Sequence, residues 1–376
     1  AEDGIRDRSP SRGLGDVYKR QRQEFTLTPE GWSAAEPRVA ILAAVDPDVR
    51  GELSAYDALR VAYREQILGI AALDLTAPDP LAILPATARS LADLAVAALQ
   101  GALRIAAEEL PDDAAQTRLA VIGMGKCGGG ELNYVSDVDV IFVAEPPPGV
   151  PEAEALAAAT HLAGALMRAC SASTAEGTLW PVDAALRPEG KQGPLVRTVA
   201  SHRQYYERWA KTWEFQALLK ARVVAGDAEV GQAYLDAVQP LVWQACARER
   251  FVEDVQAMRR RVEQNVPAAE AKRQLKLGPG GLRDVEFSVQ LLQLVHGRTD
   301  ETLRSPTTLE ALANLAAGGY IGRDDAAELD LSYRLFRCLE HRIQLSRMRR
   351  THLIPTTEAE RRRLGRAMGY LSLIHI

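Results

Sequence analysis

Hydrophobic positions recur along this chain with two different periods. Over residues 52–110 the spacing is helical: Leu53, Tyr56, Leu59, Val61, Ala62, Ile67 and Ile70 approximate one stripe, and residues 87–109 are rich in alanine and leucine with charges set between. Pro78, Pro80 and Pro85 are expected to separate the two helices. A short apolar run then follows, Leu119 to Met124, bounded by glycine as a buried strand would be. A second strand is expected from Asp137 to Val143, where alternation sends Asp137 and Asp139 to one face and Val138 and Val140 to the other. Beyond a proline-rich connection at Pro146, Pro147, Pro148 and Pro151, residues 152–171 read as a helix, with His161 a structural or surface residue in it. The stretch from Leu179 to Pro188 reads as a strand placed at an edge or a strand start by Pro181, with Asp183, Ala185 and Arg187 on one face.

The remainder, residues 226–370, is expected to be mainly helical. One helix should start after Gly278-Pro279-Gly280-Gly281, with Arg283 and Glu286 three apart on one face. Arg283, Asp284 and Glu286 belong either to a face that meets substrate or to a structural ion-pair network. Gly318 and Gly319 mark a helix end. Tyr205, Tyr206, Trp209 and Trp213, near period four, form a core stripe first and a base-stacking surface second. Glu340, His341, Arg342, Arg347, Arg349 and Arg350 read as the basic, solvated end of a late helix.

Between the two strands lies the chemistry. Gly123, Gly125, Gly128, Gly129 and Gly130 surround Lys126, so the backbone can turn sharply and present N–H groups to an anion. It is not a P-loop, because no Lys-Ser or Lys-Thr follows the glycines at the required spacing. Two carboxylates on one strand face beside such a loop are costly unless neutralised, and Mg²⁺ held by carboxylates plus substrate phosphate is the usual resolution. Asp183 on a neighbouring strand would be a third ligand, clamping both oxygens of an in-line displacement at phosphorus. Its alternative is a salt bridge to Arg187.

At 376 residues the chain has length for two or three domains, and 47% hydrophobic with 25% charged residues is ordinary for a soluble globular protein. A net charge of −5 gives no support for nucleic acid as the partner. Cys127, Cys170, Cys246 and Cys338 are scattered without a CxxC pair, which fits free thiols in a reducing cytosol. No apolar run of the roughly 18 residues that a membrane span needs is expected. Residues 1–21 and 371–376 read as non-native flanks, similar to translated adaptor sequence.

The run GMGKCGGGELNYVSDVDVIFV with VDAALRPEGKQGPLV downstream resembles the polymerase-beta-type nucleotidyltransferases. Within them it resembles the bifunctional glutamine synthetase adenylyltransferase/adenylyl-removing enzymes. YYERWAKTWEFQALLKARVVAGD, KLGPGGLRDVEF and LEHRIQLSRMRRTHLIP are similar to the same family, so the resemblance covers roughly residues 52–370. Cys127 stands where the family commonly has Leu, and Ala184 and Ala185 where it often has polar or basic residues.

The resemblance implies an α+β fold. A polymerase-beta-like domain with a small mixed sheet would span 116–225, between helical regions at 22–115 and 226–370. The helical preface is similar to the N-terminal half of the family, which removes AMP from a tyrosine of glutamine synthetase by phosphorolysis, yielding ADP. On that reading Asp137, Asp139 and Asp183 hold Mg²⁺, and amides around Gly128 and Gly129 cradle phosphate with help from Ser136. Arg187 and Lys191 are further anion contacts, and Lys126 is either a phosphate contact or a solvated loop lysine. Two other readings stay open: adenylyl transfer from ATP by the same site, and a non-catalytic module sensing nucleotide. Glutamine synthetase is the implied substrate, and a PII-type nitrogen-signalling protein the implied regulator of the full-length enzyme.

Overall fold

A five-stranded mixed sheet lies between helices, and among the described residues every strand comes from the segment Arg118 to Gly226. The computed structural model describes residues 36–370 apart from 265, and from Pro37 onward the chain forms one compact unit. The flanks expected at 1–21 and 371–376 lie outside the described residues.

Four helices precede the sheet: α1 (Glu36–Ala44), α2 (Ala55–Thr76), α3 (Pro80–Glu109) and α4 (Pro111–Gln116). Ser54 caps α2 by accepting the Asp57 N–H, and Asp79 caps α3 by accepting from Leu81 and Ala82. The separation of the two long helices falls at Ala77 to Asp79, because Pro80 occupies the first turn of α3, where a missing N–H costs nothing. Pro85 sits inside α3 and does not break it. Its absent N–H leaves the Leu81 carbonyl without a helical donor, and Arg334 from a distant helix supplies one at 3.2 Å. The expectation about apolar runs is corrected here, since α3 is long and apolar enough to cross a membrane by length and composition. Its length comes from alanines that pack against α2 and the helix after β2, and Leu91, Ala92, Leu94, Ala95, Ala98 and Leu99 are almost wholly buried by this chain.

Strand β1 (Arg118–Gly123) pairs antiparallel with β2 (Val138–Glu145), from Arg118 opposite Glu145 to Gly123 opposite Val140. On the other side of β1 lies β5 (Arg222–Gly226), also antiparallel, with a bulge at Val121/Ile122. The second edge of β2 receives two short parallel strands, β3 (Val182–Asp183) and β4 (Val196–Arg197). Ile122, Ile141 and Val143 pack with Tyr206 of α7 (Val199–Arg208) and with Tyr234 and Val238 of α9 (Ala228–Gln244). Val140 and Phe142 point the other way and are equally buried, so β2 is apolar on both faces over its middle. Burying Phe142 alone is worth about 2–3 kcal/mol.

Helix α6 (Glu152–Ser171) spans the residues expected. His161 on it is exposed and meets Asp113. The aromatic stripe fails as a continuous helix: α7 stops at Arg208 and α8 (Thr212–Leu218) restarts, leaving Tyr206 buried but Trp209 73% exposed. The rest is helical as expected, with α10 (Phe251–Gln264), α11 (Leu282–His296), α12 (Thr308–Ala317), α13 (Arg323–Arg347) and α14 (Glu358–Ala367). Gly318 is the C-cap of α12, and Gly319 takes φ +76°. The late basic helix is not simply solvated. Glu340, His341 and Arg342 of α13 are buried, and Arg342 Nη1 reaches Asp74 Oδ2 of α2 at 2.5 Å, tying an early helix to a late one.

Candidate active site

Pairing between β2 and β3 sets the site. They run parallel with Val138 opposite Val182, which makes Asp139 the register partner of Asp183. Asp137 stands one residue ahead of β2 rather than within it, as the turn out of the glycine segment enters the strand. One ligand atom from each of Asp137, Asp139 and Asp183 lies within 4.8 Å of the others, and all three are partly buried. The alternative reading of Asp183, a salt bridge to Arg187, does not form; instead Asp183 Oδ1 accepts the Ala185 N–H at 2.8 Å. Asp137 Oδ2 takes Arg350 Nη2 at 2.9 Å.

Three carboxylates this close repel one another. Burial, then the charges of Asp137 and Asp183, push the Asp139 carboxyl up to about 6. A hard divalent cation relieves that repulsion and is matched by an all-oxygen donor set, so the residues present fit Mg²⁺.

The glycine segment is a single helical turn, α5 (Gly125–Gly128), and its role differs from expectation. Gly128 N–H donates to Met124 O at 2.9 Å and Gly129 N–H to Gly125 O at 3.0 Å, so neither amide is left for an anion. Gly128 is a packing residue: a Cβ there would meet the Lys220 and Gly123 carbonyls at 1.9 and 2.4 Å. The glycine that touches the chemistry is Gly125, at φ +52°, where a Cβ would stand 2.6 Å from Asp139 Oδ2.

A cavity of about 290 Å³ opens over Asp137 and Asp139 and is also lined by Gly125, Lys126 and Ser136. Lys126 is neither solvated nor free. Its Nζ lies 3.2 Å from both carboxylate oxygens of the fully buried Glu340 and 3.2 Å from Asn133 Oδ1, and burial with the nearby Arg337 pushes its ammonium down to about 7. Arg187 and Lys191 do not line this cavity. The Arg187 guanidinium is spent on the carbonyls of Ala184, Gly193 and Pro194, because the strand ends at Asp183 and the loop that follows folds around this side chain. Lys191 is exposed on a 3₁₀ turn, Gly190–Gln192.

Lys220, Lys276 and Arg283 line the cavity. Lys220 is tied to the buried Glu131, whereas the Lys276 ammonium has no ion-pair partner among the described residues. Arg283 pairs with Glu286 at 3.3 Å, so the ion-pair reading holds, and both residues line the cavity. Burial would raise Glu286, but Arg283, Lys220, Lys126 and Lys276 outweigh it and hold the carboxyl at about 2. Asp284 is structural, bound to Arg259 and to the Gly280 N–H at 2.7 Å. Trp213, Leu186, Met258, Val262 and Phe287 give the cavity an apolar wall. Sequence already names Trp213 as a base-stacking candidate, Lys276 and Phe287 sit in runs set apart by sequence, and Met258 and Val262 gave no signal.

A small mixed sheet among helices, with three carboxylates clustered where two adjacent parallel strands begin beside a glycine turn, defines a nucleotidyltransferase-type domain. Residues 18–237 match the family model for glutamate-ammonia ligase adenylyltransferase, and residues 256–372 match that for PII-uridylyltransferase. The chain belongs to the glutamate-ammonia ligase adenylyltransferase family. It is 62% identical over 346 residues to the bifunctional glutamine synthetase adenylyltransferase/adenylyl-removing enzyme of Streptomyces avermitilis, covering 91% of this chain and 34% of that protein. The enzyme of the same name from Mycobacterium tuberculosis is 58% identical over 307 residues, 80% of this chain and 29% of its own. The chain thus spans about a third of the length of the curated relatives it matches.

Proposed function

We propose that this chain removes AMP from adenylylated glutamine synthetase by phosphorolysis of the adenylyl-tyrosine bond, releasing ADP. The observation that carries the reading is one cavity lined by Asp137 and Asp139, two of the three clustered carboxylates, together with Arg283 and with Lys276, whose ammonium has no ion-pair partner among the described residues. A phosphorolytic site must hold two phosphoryl groups at once, the phosphodiester and the incoming phosphate, and needs cationic side chains beyond the metal site. The catalytic segment on this reading is 116–225, which holds the described strands up to the last residue of β5, with helical regions at 22–115 and 226–370.

Asp137, Asp139 and Asp183 would hold Mg²⁺, which when bound supplies charge neutralisation at the phosphorus. Lys276 and Arg283 orient the incoming hydrogen phosphate, and Ser136 offers a hydroxyl on the same wall. A phosphate oxygen forms the new bond to phosphorus as the bond from phosphorus to the tyrosyl oxygen breaks, and the proton of the hydrogen phosphate ends on tyrosine. The apolar wall of Trp213 and Phe287 takes the adenosine. Four free cysteines fit a cytoplasmic site of action. The match of residues 256–372 to PII-uridylyltransferase supports a PII-type protein as regulator of the longer enzyme.

Incubating the chain with adenylylated glutamine synthetase, Mg²⁺ and phosphate should release ADP, and Asp139→Asn should abolish that release while circular dichroism stays unchanged. AMP incorporation from ATP into unmodified glutamine synthetase, without ADP formation in the first assay, would establish the transfer reaction instead.

A further inference from the structure

Next to Asp137 lies a second cavity, of about 440 Å³, where α13 ends and α14 returns across it. Arg273, Arg347, Arg349, Arg350 and Arg363 line it, and among its described lining residues the only carboxylate is Glu360, which takes Arg347 Nη2 at 2.6 Å. Arg273 gives one N–H to the Ile354 carbonyl, while Arg349 and Arg363 have no ion-pair or hydrogen-bond partner among the described residues. Arg350 links the two cavities, since it lines this one and its Nη2 lies 2.9 Å from Oδ2 of Asp137, which lines the other.

Two observations set this cluster apart from a solvated helix end. A helix C-terminus carries about half a negative charge, which accounts for one cation and not for five. The chain also turns at Met348 through the left-handed region, φ 47° and ψ 47°, at a cost of about 1–2 kcal/mol for a side-chain-bearing residue. That turn takes Arg349 and Arg350 out of the helix and into the cavity wall.

We propose that this cavity is a binding site for a phosphate-bearing organic anion of nucleotide size, separate from the catalytic cavity and joined to it through Arg350. Guanidinium forks match phosphate oxygens bidentately, and clustered cations of one sign call for a ligand of several negative charges. Ile343, Leu353 and Leu364 form an apolar part of the wall that a bare inorganic anion would leave unused. The volume lies in the range of small-molecule sites. The ligand draws Arg350 toward its phosphates and away from Asp137, so occupancy of this site changes the charge felt by the metal-binding carboxylates.

The test is isothermal titration of the chain with ADP and with pyrophosphate, in EDTA and low salt so that the carboxylate triad repels anions. The wild-type chain should bind ADP saturably and more tightly than pyrophosphate. Arg349→Ala/Arg363→Ala should weaken ADP at least tenfold, while Lys276→Ala, in the catalytic cavity, should leave it within twofold. Absence of saturable ADP binding to the wild-type chain, or loss on Lys276→Ala instead, overturns the proposal. If the double alanine variant loses its circular dichroism signal, Arg349→Lys/Arg363→Lys keeps the charge and removes the fork. It should still weaken ADP several-fold, and equal binding would again overturn the proposal.

Discussion

The carboxylate of Asp139 occupies the space that a side chain on Gly125 would need: a Cβ at Gly125 would lie 2.6 Å from Asp139 Oδ2, and its backbone holds φ +52°. The glycine turn and the strand that carries Asp139 therefore fit each other directly. Gly125→Ala should lower stability by about 1–2 kcal/mol from the left-handed backbone, read from the urea midpoint. It should also weaken Mn²⁺ binding at least tenfold, read by electron paramagnetic resonance, because Asp139 must move. Wild-type Mn²⁺ affinity in this variant would show that the contact does not position the ligand.

Asp139 should make divalent binding pH-dependent. Its carboxyl in the folded chain is pushed up to about 6, above the ordinary value of 3.8, by burial and by Asp137 and Asp183. For an acid raised in the folded state, the metal-free protein gains stability as pH falls through 6 toward 3.8, because the folded form binds the proton first. Metal affinity moves the opposite way and is lost below pH 6. Asp139→Asn should therefore raise the stability of the metal-free chain by about 3 kcal/mol at pH 7 and flatten both pH profiles. An unchanged denaturation midpoint would contradict the electrostatic account.

Glu340 is fully buried with Lys126 Nζ at 3.2 Å and Arg337 Nη1 at 2.8 Å. Glu340→Ala leaves two buried cations without a counter-charge and should destabilise the chain by about 3–5 kcal/mol. Because Lys126 is on the catalytic cavity wall, the same change should alter the KM for phosphate; Glu340→Gln should cost less stability than Glu340→Ala. Equal denaturation midpoints for wild type and Glu340→Ala would remove the ion-pair network as a support of the site.

Arg187 and Lys276 can be told apart by kinetics. Arg187 binds only carbonyls of its own loop, so Arg187→Ala should lower the melting temperature, with a KM for phosphate close to wild type in the cold. Lys276→Ala should raise the KM for phosphate at least tenfold with little change in melting temperature. The reverse pattern would return Arg187 to the site and remove Lys276.

Arg350 offers a further separation. Its guanidinium competes with a cation for Asp137, so Arg350→Ala should tighten Mn²⁺ binding several-fold, measured by calorimetry. Weaker binding would show that Arg350 holds Asp137 in place for the metal.

Local pattern was enough to find the three aspartates, the two long strands, the α6 helix and the family, because each depends on residues near one another in the chain. Alternation put Asp139 on one side of a strand, and the glycines announced a tight turn. Which glycine meets the carboxylate was not legible, since Gly125 and Gly128 differ only in what packs against them. Arg187 could not be separated from Lys276 as an anion contact either. One is wrapped by its own loop and the other is brought to the cavity from over a hundred residues beyond Asp139. The same holds for Glu340 beneath Lys126 and Arg350 on Asp137, pairs more than two hundred residues apart. Short-range periodicity decides element type and face. Charge compensation and cavity walls are decided by long-range packing, which no local pattern encodes.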